Sequence, residues 1–339
     1  MVRVVVVGGG VNGVGSALAI QRRHPQCQVK VVAKSFTPHT TGDGAAGLWE
    51  PYLSANTPDD KVIQWSRDTF NLYSDWYRDG EGKARGVSLV HGTGLHNIQQ
   101  PTPAWHTIPI GYINLSSEQR ALYGPQYKSG HRFTTYTAEP SKFLPTLLEE
   151  VKTRGGRLEE RSISSLEEAA DDADLLINCS GLGARDLVPD PSVFPCRGQV
   201  MRVRAPWVTQ FLIDDSEESF AYIIPNQESV VLGGTHQDNN WNLEVDPEDT
   251  QTIWNNCTSI LPSLKSAQVV REWVGLRPCR SKGVRLEADE LKLFNRTVPV
   301  IHNYGHGGCG VSMFWGCSQE VASIASRLIH RHHGPLSKL

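Results

Sequence analysis

No apolar run in the 339-residue chain approaches the roughly 18 residues needed to cross a bilayer as a helix. The seven cysteines stand singly, at 27, 179, 196, 257, 279, 309 and 317. With no C-x-x-C pair and an odd total, neither a disulfide framework nor a structural zinc site is expected, and the thiols read as reduced and mostly buried. An excess of either charge is also missing. Thirty-three basic against 36 acidic side chains leave a formal net charge of -3, too weak a field to gather nucleic acid or an anionic membrane. The first residues already belong to an apolar strand, so no secretory leader is expected. These absences describe a soluble intracellular protein with neither nucleic acid nor membrane as partner, and the length favours two domains over one.

What is present begins at the N-terminus. Val2, Val4, Val5, Val6 and Val7, interrupted only by Arg3, read as a buried parallel strand. Gly8-Gly9-Gly10-Val11-Asn12-Gly13 follows with G-x-G-x-x-G spacing, and Ser16 to Ile20 reads as a helix. In such a unit Gly8 permits the tight turn, Gly10 lets a pyrophosphate reach the backbone and Gly13 lets helix and strand pack closely. The helix N-terminus then faces the phosphates. A dinucleotide is the expected ligand, and the glycine turn alone is compatible with an NAD-dependent dehydrogenase. Gln28 to Ala33 reads as the second strand. It ends on Lys34 and Ser35, where a carboxylate for the ribose hydroxyls is customary, which weakens the NAD reading.

Phe36 to Tyr52 is rich in hydroxyls and small residues that let a flat ring approach the backbone. Helical patterns are expected over Asp59 to Gly80, Pro140 to Val151 with Ser141 as N-cap, Ser164 to Ala170, 246 to 265 and Ser312 to Ile329. Strands are expected at Val87 to His91, Leu158 to Ile163, Asp174 to Cys179 and Val269 to Trp273. The alternation and frequent turns of 197 to 237 suggest an antiparallel sheet. The fold expected is α/β. A dinucleotide-binding, Rossmann-like domain is built from 1–53, 141–196 and 298–329, interleaved with an antiparallel-sheet substrate domain of 54–140 and 197–297. Residues 330–339 form a tail.

Several separated stretches, in this order, resemble the FAD-dependent D-amino-acid oxidase and D-aspartate oxidase family: Gly8 to Gly13, Phe36 to Tyr52, Asn178 to Gly183, Arg197-Gly198-Gln199, Tyr222 to Pro225, Leu232 to Thr235, Gly275 to Pro278 and His302 to Gly310. The resemblance covers essentially the whole chain, while Lys34-Ser35 departs from the acidic-then-basic pair usual in the family. It implies FAD as cofactor, held by Gly8, Gly10, Val11, Gly13, Lys34, Ser35, Thr40, Thr41, Ala46, Gly47, Leu48, Ile163, Gly307, Gly310, Val311 and Ser312. Oxidation at an amino acid α-carbon needs the carboxylate clamped. Arginine suits that task, because its planar fork makes two parallel bonds. The resemblance gives this role to Arg277, with Tyr222 adding a hydrogen bond and Gly308 on the same wall. No side-chain acid or base is implied. His302 and His306 are four apart, but the surrounding glycines argue against a helix that would place them on one face, so no metal is expected.

Substrate choice draws conflicting signals. His236 occupies the place where members acting on acidic substrates carry a basic residue, which leans towards D-aspartate. Glu50 would repel that substrate, and no arginine lies between Ile213 and Ala221, so neutral or basic D-amino acids are the alternative. A flavin-binding protein without turnover is a further reading, separated by peroxide release. Ser337-Lys338-Leu339 reads as a peroxisomal address, which makes the import receptor a partner beside the D-amino acid and oxygen. Self-association is also left open.

Overall fold

The computed structural model describes residues 1–216 and 219–332; Ser337-Lys338-Leu339 lies outside them. The first sheet has six strands, in the order Arg285–Lys292, Thr297–Tyr304, Leu175–Asn178, Arg3–Val7, Gln28–Ala33 and Arg157–Glu160. Neighbours run parallel except at one edge, where Arg285–Lys292 is antiparallel to Thr297–Tyr304. The unbroken valine run of the first strand is explained by what lies on either side. Val4 and Val6 join a core with Leu18 and Phe314, whereas Val5 and Val7 pack with Leu166 and Ala170 of the helix Leu166–Ala170. Both faces are covered, so neither tolerates a polar residue.

The helices Val11–Arg23, Pro140–Thr153, Asp59–Arg78 and Gly310–His332 form the layer over Val4 and Val6. The second sheet has nine strands drawn from 87–138 and 193–280. Its longest pair, at one edge, is Val193–Arg204 with Gln268–Arg280, antiparallel, with Arg277 opposite Cys196.

Three local expectations are revised. The strand at Val87 continues to His96 through Gly92, because the parallel neighbour Gln210–Asp214 comes so close that a Cβ on Gly92 would lie 2.2 Å from the Phe211 carbonyl. Glu139, not Ser141, precedes the helix Pro140–Thr153 as N-cap, with Pro140 in its first turn. Pro145 sits inside that helix, past the first four positions, so it removes one intrahelical hydrogen bond. Arg285–Lys292, assigned by pattern to the second domain, is an edge strand of the first sheet.

Candidate functional site

A cavity of about 710 Å³ runs from the glycine turn, past the small-residue segment 39–52, to the second sheet. At its first end the fingerprint glycines have three different geometries. Gly8 takes φ +118°, open to glycine but rarely to other residues, and a Cβ on Gly13 would lie 1.9 Å from the Gly8 carbonyl oxygen. Gly10 is extended (φ -81°, ψ -177°) with open space where a Cβ would stand, and it lines the cavity. The helix that starts at Val11 has no side-chain cap and no acid in its first turn, so its free N–H groups favour an anion. Beside them the Asn12 Oδ1 is buried without a partner. This end fits a dinucleotide pyrophosphate.

Lys34, Ser35, Thr40, Thr41, Ala46, Gly47 and Leu48 line the same cavity. No carboxylate stands at Lys34-Ser35; the Ser35 hydroxyl donates instead to the His39 carbonyl at 3.2 Å. Asp43, absent from the sequence reading, shapes the turn Thr41–Gly44. It accepts from the Thr40 amide at 2.8 Å, the Thr40 hydroxyl at 2.7 Å and the Thr37 hydroxyl at 2.5 Å. Gly307, Gly308, Gly310 and Val311 also line the cavity.

Three expected cofactor residues do not reach it, the first being Gly13, which packs against the Gly8 carbonyl. Ile163 packs beside Val5, Val7 and Val32, because the strand Arg157–Glu160 ends before it and the chain turns towards the helix Leu166–Ala170. Ser312 is buried, accepting from the Glu50 amide at 3.2 Å and donating to the Glu50 carbonyl at 3.0 Å, so it fixes Glu50 from behind.

At the far end Arg277 lines the cavity. Its Nη1 donates to the Thr235 carbonyl at 3.0 Å and the Arg197 carbonyl at 3.4 Å, with the Cys196 sulfur at 3.7 Å. Gly198 makes room, since a Cβ there would lie 2.5 Å from the guanidinium. Among the described residues Arg277 has no carboxylate partner. Burial opposes its charge, but the Tyr222, Cys196 and Tyr52 side chains outweigh that and hold the guanidinium charged. Tyr222 faces it and, chiefly by burial, stays a neutral phenol. A charged guanidinium beside a neutral O–H donor is suited to a substrate carboxylate.

One cavity wall carries two acid–imidazole pairs, of which the sequence named only Glu50. Glu50 Oε1 lies 3.8 Å from His131 Nε2, and Asp215 Oδ2 lies 3.3 Å from His96 Nδ1. All four residues line the cavity, and the two imidazole rings are 5.5 Å apart. Tyr112 stacks on His131, its phenol pushed up to about 12 by burial and by Glu50. Single histidines on strands far apart in sequence carry no pattern that would have signalled this.

His236 is displaced from its expected role. It does not line the cavity but sits at the surface, with Nε2 3.2 Å from Asp238 Oδ1 and Nδ1 3.3 Å from the Tyr52 hydroxyl. Hydrogen bonding with Cys196 and the charge of Asp238 raise its pKa against the effect of burial. Cys196 is itself held down to about 5, first by a hydrogen bond from Cys279. His302 and His306 have separate surroundings. His302 contacts Asn178 at 3.1 Å and is pushed down to about 4 by burial, while the fully buried His306 is pushed down to about 3.

Residues 3–324 match the family described as FAD dependent oxidoreductase. The chain is 39% identical to a D-aspartate oxidase of Homo sapiens, over 99% of this chain and 98% of that protein. It is also 39% identical to a D-amino-acid oxidase of Rubrobacter xylanophilus, over 95% of each. Among solved structures, a glycine oxidase from Geobacillus kaustophilus shares the fold with a TM-score of 0.76 at 18% identity, over 98% of this chain and 95% of that one. An uncapped helix end suited to a pyrophosphate is continuous here with a cavity that ends at a half-buried arginine, and the chain belongs to the FAD-dependent oxidoreductase family.

Proposed function

We propose that the chain oxidises D-amino acids at the α-carbon, giving imino acids that hydrolyse to 2-oxo acids and ammonia, with oxygen reduced to hydrogen peroxide. The observation that carries this reading is Arg277, charged, half-buried and facing the cavity beside Tyr222 with no carboxylate of its own among the described residues. Bound FAD supplies the acceptor for the hydride leaving Cα and the route of its electrons to oxygen. The protein's own task is placement. Gly8 to Val11 hold the pyrophosphate, and Gly307, Gly310 and Val311 offer backbone groups to the flavin. Arg277 grips the substrate carboxylate through two parallel bonds, Tyr222 donates a third, and Gly308 closes the wall beside Tyr52. Oxygen consumption and peroxide release by the yellow protein, tested over a panel of D- and L-amino acids, check the reading; turnover of L-isomers alone overturns it.

Removing the Tyr222 hydroxyl tests the third bond. Tyr222→Phe is expected to keep its flavin and raise KM by about tenfold, the loss of one hydrogen bond to a charged group at about 1.5 kcal/mol. An unchanged KM assigns Tyr222 to the core.

The lean towards acidic substrates rested chiefly on His236, which stands outside the cavity, whereas Glu50 and Asp215 are in its wall. This placement favours the alternative, neutral or basic D-amino acids. Glu50→Gln and Asp215→Asn are each expected to raise kcat/KM for D-aspartate relative to D-alanine and to lower it for D-arginine, by about threefold to tenfold for one nearby charge. Should wild-type enzyme prefer D-aspartate over both, the acidic reading returns. The Ser337-Lys338-Leu339 tripeptide is proposed as a peroxisomal address, checked by the location of a fluorescent fusion with and without Leu339.

A further inference from the structure

We propose that Cys196, His236 and Asp238 form a binding site for a borderline-soft divalent cation, zinc by the chemistry of its donors, directly behind the substrate clamp. One sulfur, one imidazole nitrogen and one carboxylate oxygen from these residues all lie within 4.8 Å of one another. Ligand atoms around a tetrahedral zinc, with bonds of about 2.0–2.3 Å, are separated by about 3.3–3.8 Å. Side-chain rotations of under about 1.5 Å therefore bring the three into bonding positions.

Sheet register makes this convergence a property of the backbone. Asp238 pairs directly with Cys196 across the antiparallel ladder, and His236 lies two residues before Asp238, so all three side chains share one face. On the other flank of Cys196 its partner is Arg277, with Cys279 two residues further along on that same face. Diagonal cross-strand positions of this kind stand about 7–8 Å apart at Cα, beyond the usual reach of a disulfide. Cys279 thus remains a thiol beside the fourth coordination position, which is otherwise open to water. Cys196 is buried, whereas His236 and Asp238 are partly exposed, so the cation approaches from solvent through the imidazole and carboxylate and meets the sulfur last. The mixed sulfur, nitrogen and oxygen set suits zinc over magnesium or calcium, which take oxygen ligands.

Binding there has a consequence for the clamp. The Cys196 sulfur is the 3.7 Å neighbour of Arg277 Nη1, and His236 Nδ1 is the 3.3 Å neighbour of the Tyr52 hydroxyl. A cation that captures both ligands withdraws them from Arg277 and Tyr52 and places positive charge beside the guanidinium. The affinity for a substrate carboxylate falls, and metal becomes an inhibitor that raises KM. The binding claim is independent of the proposed D-amino-acid activity; the inhibition rests on it.

Cobalt titration of the FAD-loaded enzyme separates the two. One equivalent of CoCl2 is expected to give a thiolate-to-cobalt charge-transfer band and ligand-field absorption beyond the flavin bands, both removed by ZnCl2. Cys196→Ser should lose the charge-transfer band. Asp238→Asn, a change at the exposed rim, should keep metal-free turnover and weaken cobalt binding by at least about tenfold. Zinc should raise KM severalfold for the preferred D-amino acid, with recovery on adding a chelator. Absence of the cobalt bands, or bands of unchanged affinity in both variants, overturns the site. Cobalt bands with an unchanged KM overturn its coupling to Arg277. Failure of every D-amino acid as substrate while the cobalt bands persist overturns the proposed activity and leaves the site standing.

Discussion

Arg277→Ala is expected to purify yellow and fully loaded with flavin, yet to lose kcat/KM by about 30-fold to several thousand-fold, the equivalent of about 2–5 kcal/mol for a buried charge-assisted contact. The two parts of this expectation come from the same geometry. Arg277 stands at the second-sheet end of the cavity, held by the Thr235 and Arg197 carbonyls, while the dinucleotide end is made by Gly8 to Asn12. Removing the guanidinium leaves those carbonyls short of a donor, but it leaves no buried carboxylate unpaired among the described residues, so the fold should survive. Arg277→Lys should recover little, because an ammonium cannot reproduce two parallel bonds. Flavin content from absorbance and steady-state kinetics on one preparation decide the matter. Near-normal turnover rules the clamp out, and loss of flavin together with turnover moves Arg277 into the scaffold.

The second large effect concerns two glycines three residues apart. Gly10→Val should give a folded protein with no bound FAD. Gly13→Val should give little folded protein at all. At Gly10 the extended backbone accepts any residue and the new side chain projects into open cavity, where the phosphates belong. At Gly13 the new Cβ would stand 1.9 Å from the Gly8 carbonyl oxygen, backbone that cannot move aside without separating the first strand from its helix. Circular dichroism, thermal unfolding and flavin absorbance distinguish the outcomes. A yellow Gly10→Val protein with a full flavin complement contradicts the assignment of the pyrophosphate site, and a stable Gly13→Val protein contradicts the packing role.

The parts of the fold legible in the sequence were those whose residues repeat a local rule. The valine run, the glycine turn and the Gln28–Ala33 strand belong to one short unit with a known division of labour, and the structure places each as its pattern requires. Arg285–Lys292 was missed because an exposed edge strand need bury little, and its charged residues give no apolar period. Gln268–Arg280 was cut short because Gly275 and Pro278 look like strand endings. Gly275 is required by the Trp273 ring, which would lie 2.0 Å from a Cβ there, and Pro278 sits opposite Pro195.

In the site, Arg277 and Tyr222 were legible because their motifs are contiguous. The pairs Glu50–His131 and Asp215–His96 were not, since each joins segments about 80 or more residues apart through sheet register that no local pattern encodes. His236 was misplaced for the opposite reason. It follows a recognisable motif, but the pairing of Gln237 and Asp238 with Arg197 and Cys196 directs its ring to the outer side of the clamp.

The first sheet also dictates an order of events during synthesis. Arg3–Val7 can pair at once with Gln28–Ala33, but its other neighbour, Leu175–Asn178, is made much later, and Thr297–Tyr304 follows near the end. At translation rates of about 5–20 residues per second, that edge stays unpaired for on the order of ten seconds or more. Over this interval an apolar strand with a free edge is open to association with other chains. The cavity wall that includes His306 to Val311 is made later still, so the flavin site is complete only once that segment has been synthesised.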